Sequence, residues 1–244
     1  MKKTDWLMLV LFGAAAAALR AWQSATGFEE SGLAIPGNLP GRLLPLVLAL
    51  AAAYFCAAAR KLPAQRDVTG SLTDLFLFQD MTAVTAGVAG AFLLLASAGA
   101  AFLGRGLPKL APLAALAVAA ALSLLYTVFA LYRGNAVQST VLLIPASCLL
   151  VYFIFLYRAD TSDPVLAAIY VEILATAALT LSAIELAAFA FRGGAPRVFV
   201  PVSALALVLS LAAAAERRSM AAALLFVGSA LLELGFLAAA DFRK

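Results

Sequence analysis

Histidine is absent from this chain of 244 residues, and charged residues of all kinds make up only 12% of it. Without histidine, bis-histidine haem ligation and the HExxH motif of zinc metalloproteases are excluded. The five lysines all lie in loops or near the ends of apolar runs, so no buried amine is available for a retinal Schiff base. The GxxxxGK[ST] phosphate loop and the GxSxG nucleophile elbow are missing too. These absences predict a protein that is not an enzyme and has no cofactor or metal site.

Cysteine and clustered charge are scarce as well. The two cysteines, Cys56 and Cys148, lie inside apolar runs at a spacing that matches no metal-binding motif. We expect both to be small side chains of the core. The net charge of +4 comes from basic residues that occur singly or in pairs. Such residues are typical of topology anchors in membrane proteins, and they predict no nucleic-acid partner.

Most of the chain consists of hydrophobic residues. Soluble domains are about 45–50% apolar, whereas hydrophobic residues make up 65% of this chain and its mean hydropathy is +1.02. Apolar segments of 17 to 27 residues recur, and each can cross a hydrocarbon core of about 30 Å as a helix. Runs such as GAAAAAL do not alternate as the strands of a membrane β-barrel do. The sequence therefore predicts an all-α, polytopic transmembrane helical bundle.

Eight predicted spans form a single membrane domain over residues 1–244. With an even number of spans, both termini lie on one side of the membrane. That side carries ten basic residues, and the other side carries seven. The positive-inside rule then places both termini in the cytoplasm. The predicted spans are residues 6–22, 43–59, 81–103, 110–132, 141–157, 165–191, 198–215 and 220–240.

The first twenty residues allow a second interpretation. Their basic start, apolar middle and small residues also resemble a signal peptide. Cleavage of such a peptide would leave seven helices and an external N-terminus.

Two loops are long enough to have structure of their own. The predicted external loop, residues 23–41, carries a Gly- and Pro-rich stretch at 35–41 that favours an ordered turn. The predicted cytoplasmic loop, residues 60–80, contains Phe76 and Phe78. These phenylalanines indicate either a stretch that lies in the membrane interface or a simple extension of the third span.

Arg20 and Glu172 are charged side chains inside predicted spans, where an ionised group must be paired, hydrated or displaced toward an interface. Both lie in the outer half of the predicted bilayer. Either they pair with each other as a polar lock, or Arg20 extends independently to the interface. Thr176 and Thr180 follow Glu172 at intervals of four residues, which places all three on one helix face as a polar stripe.

Two more carboxylates lie inside the predicted spans. Glu185 is thirteen residues beyond Glu172, so it points about 140° away from it and toward the other membrane surface. There we expect basic partners such as Arg133 or Arg192. Glu233 lies nearest to the middle of a span. We expect it to be protonated unless a cation or water lies beside it, since desolvation disfavours the charged form. It is therefore the sharpest candidate for proton or cation coupling.

Two parts of the chain carry a resemblance. The first runs from Leu19-Arg20-Ala21-Trp22-Gln23 through Thr26-Gly27-Phe28-Glu29 to Gly32-Leu33-Ala34-Ile35-Pro36-Gly37-Asn38. The second comprises Tyr157-Arg158-Ala159-Asp160, Pro164, Tyr170-Val171-Glu172 and Phe191-Arg192-Gly193-Gly194. Over most of its length the chain resembles uncharacterised polytopic membrane proteins of anaerobic Gram-positive bacteria. The resemblance implies a multi-pass protein of the bacterial plasma membrane and implies no activity.

Two functions fit this pattern in a protein surrounded by the lipid bilayer. The favoured one is a small-solute carrier or a substrate-binding membrane component, with a solute or ion site in the outer half between the first and sixth spans. It requires a water-accessible cavity at Glu172 or Glu233, and it would be excluded if Glu172, Thr176 and Glu233 all faced lipid or solid core. The alternative is a non-transporting membrane interaction or assembly subunit. Such a subunit would have a filled core and a surface for a membrane-protein partner or a second copy of the chain.

Overall fold

The computed structural model describes residues 3–29, 35, 37–63, 72–103, 107–160, 166–216 and 219–242, without the side chains of 107–112, 159–160 and 166–169. This part of the chain contains nine α-helices, and eight of them, all except α3, are long and apolar enough to cross a bilayer. The predicted polytopic helical bundle is thereby confirmed, and the chain is an integral membrane protein. The helices are α1 (Lys3–Thr26), α2 (Leu39–Ala59), α3 (Leu72–Leu75), α4 (Met81–Leu103), α5 (Leu107–Tyr132), α6 (Ser139–Asp160), α7 (Leu166–Ala190), α8 (Pro196–Ala214) and α9 (Met220–Ala239).

Local capping chemistry sets the ends of several helices. The hydroxyl of Ser219 accepts a hydrogen bond of 3.1 Å from the backbone N–H of Ala222 and so caps the start of α9. Beyond α7, Arg192 adopts a left-handed conformation with φ 59°. The N–H of Gly193 then donates to the carbonyl of Ala188 at 2.8 Å, which is the bond pattern of a Schellman turn.

Six of the long helices close into a ring. Each helix from α4 to α9 packs against the next one along the chain, and α9 packs back against α4. The remaining two long helices, α1 and α2, pack against each other and against the outside of α8. A ring of six helices has an interior, and that interior is where a site for a small molecule can form.

The ring is closed by a very tight contact between α4 and α9. A methyl group at Gly90 would lie 2.6 Å from the carbonyl oxygen of Gly228, and one at Gly235 would lie 2.9 Å from the backbone nitrogen of Gly87. Glycine at these four positions lets the two backbones approach each other, as in many pairs of membrane helices.

The two ends of the described chain lie on one face of the bundle, since Asp5 and Phe242 line the same cavity of about 300 Å³ there. We call this the termini face. Near it, residues 75–77 pair with the end of α9. The N–H of Leu77 donates to the carbonyl of Ala239 at 2.8 Å, and the N–H of Asp241 donates to the carbonyl of Leu75 at 2.9 Å.

This pairing corrects the expectation for Phe76 and Phe78. Residues 76–80 do not extend α4, which begins at Met81. Phe76 and Phe78 are buried in the bundle with no exposed surface, so neither ring is turned outward toward lipid. The ring of Phe76 makes edge-to-face contacts with four other phenylalanines at centroid distances of 5.4 to 6.2 Å. We call these five residues the phenylalanine plug, and its members are Phe76, Phe189, Phe199, Phe236 and Phe242.

Candidate functional site

The ring of helices contains a partly open chamber of about 80 Å³, bordered mainly by α5, α6, α7 and α9. Most of its wall is leucine and alanine. At the end toward the termini face it meets Phe199 and Phe236, two members of the phenylalanine plug. The plug therefore closes the chamber on that side. The polar or sulfur-bearing side chains in the wall are Cys148, Tyr152, Ser182, Ser229 and Glu233.

Glu233 is the charged residue of the chamber wall. It is 9% exposed, and its Oε2 accepts a hydrogen bond of 2.8 Å from the hydroxyl of Ser182. That hydroxyl also lies 2.7 Å from the hydroxyl of Ser203. When Glu233 is ionised, Ser182 donates to its Oε2, and because a serine has one proton to give, Ser203 then donates to Ser182. Three helices thus supply a chain of donors that ends on one carboxylate oxygen.

The other oxygen of Glu233, Oε1, accepts no hydrogen bond from the residues that the structure describes, and no described cation forms an ion pair with the carboxylate. A buried carboxylate with one oxygen that accepts no hydrogen bond is costly in an apolar setting. At the wall of a chamber it can instead meet a bound molecule.

Glu172 reaches the chamber through another residue. The hydroxyl of Tyr152, which lines the chamber, donates to Oε1 of Glu172 at 3.0 Å. The predicted polar stripe on α7 is buried, and its hydroxyls are satisfied within the helix. Thr176 donates to the carbonyl of Glu172 at 2.8 Å, and Thr180 donates to the carbonyl of Thr176 at 2.7 Å. The stripe therefore offers a ligand no unused hydroxyl proton.

Arg20 lies in a separate polar cluster near the face opposite the termini. Its side chain is fully buried, and Nη2 forms a salt bridge of 2.7 Å with Oε2 of Glu216, just beyond the end of α8. Nη1 donates to Oε1 of Gln23, one turn further along α1, at 2.9 Å. The guanidinium carbon also lies 5.8 Å from the ring centroid of Phe28 and 5.5 Å from that of Tyr170.

Both expectations for Arg20 need correction. Because its side chain is buried, it does not extend independently to an interface. The carboxylate that forms its salt bridge belongs to Glu216 and not to Glu172. The geometry of α7 explains the difference: Tyr170 faces Arg20, and two residues later the helix has turned by about 200°, so that Glu172 points toward Tyr152 on α6.

Glu185 also has a different neighbour from those expected. Its Oε2 lies 3.5 Å from the backbone nitrogen of Ala195, which precedes α8, and no salt bridge joins it to Arg133 or Arg192. A carboxylate is favourable there because the N-terminus of a helix presents unsatisfied N–H groups and a partial positive charge. The contact places Glu185 beside the start of α8.

The structure adds five residues to those chosen from the sequence, namely Tyr152, Ser182, Ser203, Glu216 and Ser229. Ser229 could have been found, because it precedes Glu233 by one helical turn and lies on the same face. The other four come from different helices or from a helix end, and no spacing within one segment identifies them. Cys148 is buried in the chamber wall, whereas Cys56 is exposed on α2 and is not the core residue we expected.

Of the three residues on which the carrier hypothesis depends, Glu233 lines the chamber, whereas Glu172 reaches it only through Tyr152 and Thr176 is fully buried. Among the residues that the structure describes, no group of three or more His, Cys, Asp or Glu side chains is placed to hold a metal ion. Comparisons of the chain with protein-family models, with curated proteins and with solved structures find no match.

Proposed function

We propose that this membrane protein is a carrier or binding component for a small solute, with its site in the chamber beside Glu233. The observation that carries the proposal is the chamber itself, in which one nine-tenths buried carboxylate lies in a mostly apolar wall. Binding sites for small molecules combine a concave apolar surface with a few placed polar groups in this way. The proposed site differs in position from the one expected between the first and sixth spans, because the chamber lies inside the ring and α1 lies outside it.

The arrangement of the ends also supports a carrier. The phenylalanine plug separates the chamber from the termini face, and two backbone hydrogen bonds at residues 75–77 hold it in place. Opening toward that face requires Phe76 to move with this short segment, and it also requires Phe199 and Phe236, which belong to α8 and α9, to move out of the end of the chamber. From the bias in basic residues, the proposal takes the termini face to be cytoplasmic.

The test is direct binding of small solutes to the protein in lipid nanodiscs, measured by saturation-transfer NMR with isopropylammonium, 2-propanol and acetate. The chamber-filling variant Ala117→Leu should abolish saturation transfer to whichever solute binds, because Ala117 lines the chamber. Ala115→Leu is the matched control, since Ala115 lies on the same helix and is exposed on the outer surface.

If Ala117→Leu and Ala115→Leu bind all three solutes as the unmodified protein does, the chamber is not the site. If none of the three binds to the unmodified protein, the carrier proposal is wrong and a non-transporting assembly subunit becomes the better account. A carrier is then distinguished from a binding component by flux of the bound solute into proteoliposomes.

A further inference from the structure

We infer that the solute of this chamber is a small organic cation, an alkylammonium ion whose ammonium group meets Oε1 of Glu233 and whose alkyl group meets the leucines. The inference rests on the proposed function and specifies the ligand class of the same site. Of the two carboxylate oxygens of Glu233, Oε2 accepts a hydrogen bond from Ser182, and Oε1 accepts no hydrogen bond from any described residue.

The hydrogen bond that Ser182 donates to Oε2 stabilises the charge of an ionised Glu233. Burial in an apolar wall has the opposite effect and favours the neutral form. A buried, ionised carboxylate that accepts a hydrogen bond at one oxygen still needs a positive charge or a hydrogen-bond donor at its other oxygen.

No described side chain supplies that charge. Around Glu233 the wall contributes Leu and Ala from α4 and α5, Cys148 and Tyr152 from α6, and Ser182 from α7, none of which is a cation. The buried arginine of the bundle, Arg20, forms a salt bridge with Glu216. Glu216 is thirteen residues beyond Ser203, which is about 20 Å along the axis of α8.

The size and the wall of the chamber favour an organic cation over a metal ion. Ca²⁺ and Mg²⁺ take six or more oxygen ligands, whereas the wall offers a carboxylate, three hydroxyls and otherwise apolar carbon. A dry apolar cavity of about 150 Å³ holds benzene, so a chamber of about 80 Å³ fits a molecule with a short alkyl group. The ring of Tyr152 provides a further face for a cation.

Cys148 makes the charge preference measurable, because its thiol lies in the same wall as Glu233. In a Cys56→Ser background, Cys148 is the single cysteine of the chain. Its modification rate is measured in nanodiscs with 2-aminoethyl methanethiosulfonate, which is a cation, and with propyl methanethiosulfonate, its neutral counterpart of the same shape. Both rates are normalised to those of a free thiol in solution.

We expect the cationic reagent to modify Cys148 at least about tenfold faster than the neutral one, since a carboxylate in low dielectric concentrates cations near it. Glu233→Gln keeps the size of the side chain and should reduce that ratio to within about twofold. Isopropylammonium should slow the modification at millimolar concentration, as expected for so small a ligand, and 2-propanol should slow it less.

Equal rates for the two reagents, or a preference that survives in Glu233→Gln, would overturn the inference. If 2-propanol protects Cys148 as well as isopropylammonium does, the solute is neutral. The inference of a cationic ligand then fails, whereas the proposed binding site in the chamber is retained. If neither reagent reaches Cys148 and no solute binds in the NMR experiment, the chamber admits no small molecule, and both the inference and the proposed function fail.

Discussion

Replacing Glu216 by glutamine keeps the size of the side chain and removes the carboxylate that lies 2.7 Å from Arg20. The side chain of Arg20 has no exposed surface, whereas that of Glu216 is 10% exposed. Removing one partner of a buried salt bridge costs about 3–5 kcal/mol. Because Glu216 keeps some contact with solvent and Gln23 still accepts a hydrogen bond from Arg20, we expect a loss near the lower end, about 3 kcal/mol in the free energy of unfolding.

The assay is unfolding of the purified protein in mixed micelles by a rising fraction of dodecyl sulfate, followed by tryptophan fluorescence. Arg20→Met alone should cost about as much as Glu216→Gln alone. The double variant should cost less than the sum of the two, with a coupling of at least about 1.5 kcal/mol, because neither residue then leaves a buried charge behind.

The matched control is the same cycle with Glu172→Gln in place of Glu216→Gln. Since Glu172 accepts its hydrogen bond from Tyr152 on α6, its coupling to Arg20 should stay below about 0.5 kcal/mol. A coupling of Arg20 to Glu172 that exceeds its coupling to Glu216 would refute the assignment of the ion pair.

Three other changes should alter the free energy of unfolding in the same assay. Gly90→Ala should lower the free energy of unfolding by about 1–3 kcal/mol, because the added methyl group would overlap α9. Gly99→Ala is the control in the same helix and should raise the free energy of unfolding slightly, because open space surrounds Gly99. Equal effects of the two changes would contradict the tight contact. Phe76→Ala should cost about 3–5 kcal/mol, while Phe92→Ala, on the exposed side of α4, should change stability by only about 0.5 kcal/mol. Arg192→Gly should stabilise by up to about 1 kcal/mol, since φ is 59° there, and a loss of stability would show that the arginine side chain matters more than the backbone.

The helices could be predicted from the sequence because the bilayer itself imposes their length and composition. Each apolar run must cross the hydrocarbon as a helix, so a break between runs marks a turn without any knowledge of neighbours. The predicted span at 81–103 has the same bounds as α4, Met81–Leu103. Others, such as 6–22 within Lys3–Thr26, mark the apolar centre of a longer helix.

The partners of the polar residues could not be predicted in the same way. Position along a span gives depth, and the helical angle gives direction, but neither says which helix lies opposite. The ring brings Ser182, Ser203 and Glu233 together from α7, α8 and α9. Arg20 finds Glu216 in a turn that shows no feature of a buried site. The burial of Phe76 depends on backbone pairing with the distant end of α9, which no local pattern encodes.

The most direct test of a solute site inside the ring is the rate at which neutral propyl methanethiosulfonate modifies Cys148 in the Cys56→Ser background. If the chamber is an open space, Ala117→Leu should reduce that rate at least about tenfold, because the larger side chain fills part of the chamber whose wall contains Cys148. Ala115→Leu, which adds the same group on the outer surface of α5, should leave it unchanged. Equal rates in the two variants would contradict the chamber as the site.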